Sequence, residues 1–292
     1  MSAAQVFQIL LLVGLFTSVL AFATKTTRED VSYLWRRPGL LARSLVTIYI
    51  LMPLVTLAMM WALPVPLHTK IGLVLLAIAP ALPVSPKNML KLGGYPPYVN
   101  SLLVSMCVIA ILTTPASLAI LSAVFPEEAS IRPLQVLKVL APTFFVPLAV
   151  GLVLRGLAPA VADRLAGPVG KLGALMLSGF FLIRLGTNFR DVLDLGAWSL
   201  GAVALWTLVG LAVGHLLGGP DPVERPSLAL ATALRHIGVA ALIATTSFAN
   251  ARPLPLILTY IAAYTFVPIP YSIWLKRRAA GKALAAPRPV PS

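Results

Sequence analysis

The chain alternates long apolar stretches with short polar ones. Nine stretches reach the roughly 20 residues that a helix needs to cross a bilayer, at about 4–23, 43–63, 68–93, 97–123, 135–156, 168–187, 196–217, 226–249 and 254–275. Two of them are interrupted. The third contains P-A-L-P-V-S-P-K-N-M-L-K-L-G-G, from Pro80 to Gly94. Each proline there removes a backbone donor and clashes with the preceding turn, so the helix is predicted to open near Pro83 and Pro86. Polar backbone at membrane depth survives where it lines a protein cavity. Lys87, with Ser85 and Asn88 beside it, is therefore expected to face a binding site; the plainer reading ends the helix at Pro83 and puts Lys87 at the interface. The eighth stretch carries Arg235 and His236 near its middle. Exposing an arginine to lipid at that depth costs about 2.5–3.5 kcal/mol, so Arg235 should face protein or a water-filled cavity. His236 points about 100° further round a regular helix. It reads either as a structural histidine bonded to a carbonyl or as a proton-handling group.

Composition fixes the class. Hydrophobic residues make up 59% and charged residues 11% of 292, and mean hydropathy is +0.91, against roughly 25% charged in a soluble domain. An all-α polytopic membrane protein is expected, one transmembrane domain over 1–282 with a disordered cytoplasmic tail at 283–292. The net charge of +14 does not point to nucleic acid, because the basic residues fall mostly between apolar runs. With the amino terminus outside, fifteen of them lie inside and five outside, the asymmetry of the positive-inside rule, and the carboxyl terminus is cytoplasmic. The first run lacks a leading positive region and a small-residue cleavage site, so it reads as a retained span. Cys107 is the single cysteine, which excludes an intrachain disulfide framework or a cysteine metal cluster.

Three cations, Lys87, Arg184 and Arg235, fall inside apolar stretches, whereas all nine acids fall in loops or span ends. Arg184 is close enough to the outer end of its span to snorkel, and reads as an interface anchor. A buried cation needs a partner. The choices are helix carbonyls, a deprotonated lysine, or an anionic ligand. No phosphate-binding glycine loop, metalloprotease His-Glu pair, acid dyad or nucleophile elbow is present. No enzyme, cofactor or metal site is expected.

An inner R-R-P before the second span, an L-M-P within it, the proline-opened segment after G-L-V-L-L-A-I-A-P, a T-P at Thr114 and Pro115, and a polar interruption in the penultimate span follow one another in this order. In this the chain resembles the bile acid:sodium symporter family. The resemblance implies two inverted five-helix repeats, here without the first helix, and two discontinuous helices crossing near the midplane. It also exposes departures. Where sodium-coupled members carry P-G-G-T-A-S-N, this chain keeps Pro80 and Ser85 alone; a Glu and a Gln-Asn pair are replaced by Ala231, Arg235 and His236, and two hydroxyl positions fall at Val99 and Leu103. A hard cation wants several oxygen ligands, and those are gone. The expected function is secondary transport of a small organic anion without sodium, with Lys87 and Arg235 in place of the ions. Ser85, Lys87, Asn88, Thr232, Arg235 and His236 form the expected substrate site, and Pro80, Pro83, Pro86 and Gly238 the helix breaks. The alternative is a membrane sensor or scaffold that binds without transporting. The expected partners are the anion and the lipid bilayer, in a bacterial inner membrane; proton coupling, substrate identity, direction and oligomeric state stay open.

Overall fold

The computed structural model describes residues 3–80, 86–124, 138, 141–248 and 250–285. Every regular element among the described residues is helical. In chain order these are α1 (Ala3–Ala23), α2 (Arg28–Trp35), α3 (Pro38–Val46), a π-helical turn (Thr47–Leu51), α4 (Met52–Ala62), α5 (Leu67–Ile78), α6 (Pro86–Lys91) and α7 (Pro96–Val124). A second π-helical turn (Ala141–Phe145) then leads into α8 (Val146–Leu157), α9 (Pro159–Thr187), α10 (Phe189–Leu193) and α11 (Gly196–Leu217). The chain ends in α12 (Arg225–Ala233), α13 (Ile237–Ser247), α14 (Leu254–Phe266) and α15 (Pro268–Ala285). Among the described residues, five helical stretches are long and apolar enough to cross a membrane: Gln5–Ala23, Pro38–Ala62, Pro159–Thr187, Gly196–Leu217 and Leu254–Arg278. Four shorter apolar helices accompany them, Leu67–Ile78, Pro96–Ala110, Ala141–Leu157 and Ile237–Ser247.

Prolines set several boundaries. α3 and α9 begin earlier than the apolar pattern predicts, at Pro38 and Pro159. A proline in the first helical turn lacks only an N–H that has no partner there. Inside α9, Pro168 is accommodated without ending the helix. Pro53 acts differently. The turn before it is π-helical, and Met52 N–H bonds five residues back to the Thr47 carbonyl. The next bond of that register would run from residue 53 to Ile48, but a proline has no N–H to give. The Ile48 carbonyl is left for another donor. At the far end of the third segment, α6 closes as a Schellman turn: Gly94 N–H reaches Met89 O at 2.8 Å, Gly93 N–H reaches Leu90 O at 3.1 Å, and Gly93 takes φ 109°, which a glycine adopts without strain.

α1 packs chiefly on α8 and α9. Glycines permit it: a Cβ at Gly151 would stand 2.4 Å from Ala23 Cβ, and one at Gly173 would stand 2.4 Å from Ser18 Oγ. Small residues let membrane helices approach this closely. The remaining helices form a second group, in which α11 packs on α12 and α14, and α2 on α7. The buried apolar side chains fall into two clusters, one of which takes in Ala233 and Leu234, and the other Ile237 together with Leu15 of α1, Leu148 of α8 and Leu177 of α9. Arg235 and His236 lie between them in the chain.

The nine acids were expected to stay at loops and span ends, and Glu224 does cap α12, yet it is only 5% exposed. It is held by the Tyr33 hydroxyl and the Arg37 guanidinium, and Arg37 also lies over the Tyr33 ring. Burial, then the hydrogen bond to Glu224, pushes the Tyr33 hydroxyl pKa up. The expected disordered tail lies largely outside the described residues, and α15 runs on to Ala285.

Candidate functional site

The two interruptions meet. α5 stops at Ile78 because Ala79 precedes a proline, which disfavours the helical conformation; Ala79 is extended, at φ −65° and ψ 139°. α12 stops at Ala233, Leu234 is extended, and His236 begins α13 as its N-cap. Backbone links the two breaks directly, His236 N–H donating to Pro80 O at 2.8 Å.

Arg235 fills the junction and is wholly buried. Its guanidinium donates to three main-chain carbonyls: from Nε to Thr232 at 3.0 Å, from one terminal nitrogen to Ala79 at 3.2 Å, and from the other to Ile48 at 3.0 Å. Each carbonyl is available for a local reason. Ile48 faces the missing N–H of Pro53. Ala79 ends a helix, and the residue four further on is Pro83, again without a donor. Thr232 would be bonded by His236 N–H in a continuous helix, but that donor has gone to Pro80. The Tyr260 hydroxyl completes the junction, accepting from Arg235 N–H at 2.7 Å and donating to the Ala233 carbonyl. Among the described residues the ion pairs are Arg37–Glu224 and Arg155–Asp163, so the buried guanidinium is balanced by carbonyl dipoles and not by a carboxylate.

His236 is also wholly buried. Its Nδ1 accepts from Val239 N–H at 3.3 Å, which places the ring hydrogen on Nε2. That Nε2 has no partner among the described residues. The ring meets Phe144 edge to face at 5.5 Å. Gly238 brings α13 close to α1, since a Cβ there would stand 2.7 Å from Leu15 Cδ2. The histidine thus sits where the group of α1, α8 and α9 meets the group around the crossing.

The other expected site residues are placed less directly. Thr232 turns its hydroxyl to the Leu228 carbonyl at 2.7 Å, so its contribution to the junction is its own carbonyl. Lys87 and Asn88 lie on α6, which Pro86 opens, but their side chains fall outside the described residues. Ser85 and Pro83 lie outside them entirely. Val99, Leu103 and Ala231, at the positions of lost oxygen ligands, are buried apolar residues. Arg184 is away from the junction, with its guanidinium carbon 5.2 Å from the Phe7 ring centroid. Sequence reasoning did not single out Ile48, Ala79, Tyr260 or Phe144. Pro53, five residues after Ile48, and Pro83, four after Ala79, signal the first two. No local signal marks Tyr260, which reaches the break from α14.

A family model described as the Sodium Bile acid symporter family matches residues 12–192. No curated protein sequence matches the chain. The matched region runs from the middle of α1 into α10, takes in the first interruption, and stops before Arg235. It takes in more than half of the 292 residues, and the chain belongs to the sodium bile acid symporter family.

Proposed function

We propose that this membrane transporter is a secondary carrier of a small organic anion that works without sodium, with Arg235 and Lys87 supplying the positive charge at the crossing. The observation that carries this reading is the Arg235 guanidinium, wholly buried and bonded to carbonyls of Ile48, Ala79 and Thr232. Backbone carbonyls are what a hard cation would coordinate. A guanidinium satisfies the same oxygens with N–H donors and cannot diffuse away. Arg235 then acts as a fixed cation that pins the two breaks together. Lys87, on the short helix beyond the first break, is the titratable charge. It meets the substrate carboxylate together with Ser85, Asn88 and His236, whose buried Nε2–H has no acceptor among the described residues.

The wider architecture belongs to this reading. Counting each interrupted segment once, the five long and four shorter apolar helices make nine crossings, arranged as an inverted repeat with two crossing discontinuous helices. The amino terminus is outside, the carboxyl terminus is cytoplasmic, and the membrane is a bacterial inner membrane. Contacts between helix ends support the number of crossings. Tyr33 meets Glu224, Asn100 Nδ2 donates to Asp30 at 3.2 Å, Tyr95 N–H donates to Ser227 Oγ at 2.8 Å, and all of these ends are inner by charge. Thr69 and Ser199 meet at 2.8 Å at ends that are outer.

Uptake into proteoliposomes separates the alternatives. Saturable accumulation of an organic anion should be the same when potassium replaces sodium at constant ionic strength, and Lys87→Met should weaken binding by about 1.5–3 kcal/mol. Sodium stimulation sinks the sodium-independent reading. Binding without uptake in either salt makes the protein a sensor.

A further inference from the structure

A cavity apart from the crossing lies against the end of α9. It encloses about 260 Å³ and is lined by Arg184 and Asn188 at the end of α9, Asp191 on α10, Thr245 on α13 and Arg252 just before α14. Its neutral donors are already engaged. Asn188 Nδ2 donates to the Arg184 carbonyl at 2.8 Å and to Thr187 Oγ1 at 3.1 Å, and the Thr245 hydroxyl donates to the Ala241 carbonyl at 2.8 Å. The two guanidinia are left. The Arg184 guanidinium carbon stands over the Phe7 ring, 5.2 Å from its centroid, a cation–π contact that holds the group without using its N–H donors as hydrogen bonds to that ring. Its Nε is buried with no partner among the described residues. Arg252 has φ 48°, the one non-glycine residue with positive φ among the described residues. Such a conformation persists where the surroundings impose it, and it gathers at ligand sites. Neither arginine forms an ion pair with Asp191 among the described residues.

We propose that this pocket binds a small monocarboxylate, gripped between the guanidinia of Arg184 and Arg252. Two guanidinium charges against the one Asp191 carboxylate leave a single net positive charge, which suits a monoanion and disfavours sulfate. The volume lies just below the roughly 300–1,000 Å³ of drug-sized sites, so the ligand is a small acid. Arginine presents paired donors that match a carboxylate. The placement adds a consequence. Arg184 belongs to α9, which packs on α1, whereas Arg252 precedes α14 of the group around the crossing. A carboxylate held by both joins the two helix groups at this end of the bundle. The proposal rests on the organic-anion reading only in taking this carboxylate to be the transported class, held first at the outer end.

Calorimetric titration of the purified full chain with potassium acetate, at constant ionic strength, tests it. Saturable binding is expected, weaker by about tenfold or more in Arg184→Gln and in Arg252→Gly. Glycine is chosen at 252 because it adopts positive φ freely, so the backbone is kept while the charge is removed. Asp191→Asn should raise affinity for sulfate relative to acetate. Unchanged acetate affinity in both arginine variants, at parental melting temperature, overturns the proposal. So does binding of phosphatidylglycerol in nanodiscs, lost in both arginine variants, without any acetate binding, which makes a lipid headgroup the occupant. Acetate binding that depends on both arginines in a protein that takes up no anion upholds this pocket and refutes the carrier.

Discussion

Arg235 shows how a charge can be kept with no ion-pair partner among the described residues. Its three carbonyl partners come from the π-helical turn before α4, the end of α5 and the end of α12, so one side chain joins three elements. Removing it would leave three buried acceptors unpaired. Arg235→Met is expected to lower unfolding stability in detergent by about 3 kcal/mol or more, at about 1–3 kcal/mol for each buried acceptor left unpaired. Arg235→Lys should recover only part, since a compact ammonium cannot present donors along three separated directions. Thermal unfolding followed by circular dichroism measures both, and a Met variant as stable as the parent would show that the guanidinium does not pin the crossing. At this scale the sequence was informative about which residues are exceptional. Arg235 and His236 stood out because charge and imidazole are costly in an apolar run. What they touch was not legible. Main-chain carbonyls carry no residue identity, and Tyr260 is 25 positions away on another helix.

Among the elements, proline is the recurrent cause. The apolar pattern gave the existence of the helices and the presence of two breaks, because prolines and a buried cation disturb hydrophobic periodicity visibly. It placed the starts of α3 and α9 too late, because Pro38 and Pro159 enter a first turn where they are harmless. The π-helical turn before α4 was not legible either, although the L-M-P motif put Pro53 within the second span. Its purpose follows from geometry: the register shift exposes the Ile48 carbonyl to Arg235. Pro53→Ala should restore an N–H able to compete for that carbonyl. The helix is expected to form normally while the junction loosens. Amide hydrogen exchange should accelerate across residues 232–240 without a comparable change in α9, and anion uptake should fall. If exchange at the crossing is unaltered, the proline serves only to bend its own helix.

For the whole molecule, the decisive property is the sidedness of its two ends. Arg37–Glu224 and Arg155–Asp163 join segments that the charge rule puts on the inner side, and Thr69–Ser199 joins two that it puts outside. A topology with one crossing too many or too few would bring ends of opposite sidedness together in every pair whose two members straddle the error, as Arg37–Glu224 and Thr69–Ser199 can. The five helices that meet length and apolarity alone cannot decide this, because broken helices are individually too short to span the hydrocarbon core at 1.5 Å per residue. Cysteine labelling can. The native Cys107 is wholly buried and gives little background, so single cysteines at exposed positions report their own side. Arg190→Cys, between α9 and α11, should react with a membrane-impermeant maleimide in intact cells. Arg277→Cys, in the basic stretch of α15, should react only after permeabilisation. If both react from the same side, an odd number of crossings does not separate them and the span count fails. If both react from the opposite sides to those expected, the count survives and the orientation is reversed, which would place the Arg184–Arg252 pocket on the cytoplasmic face.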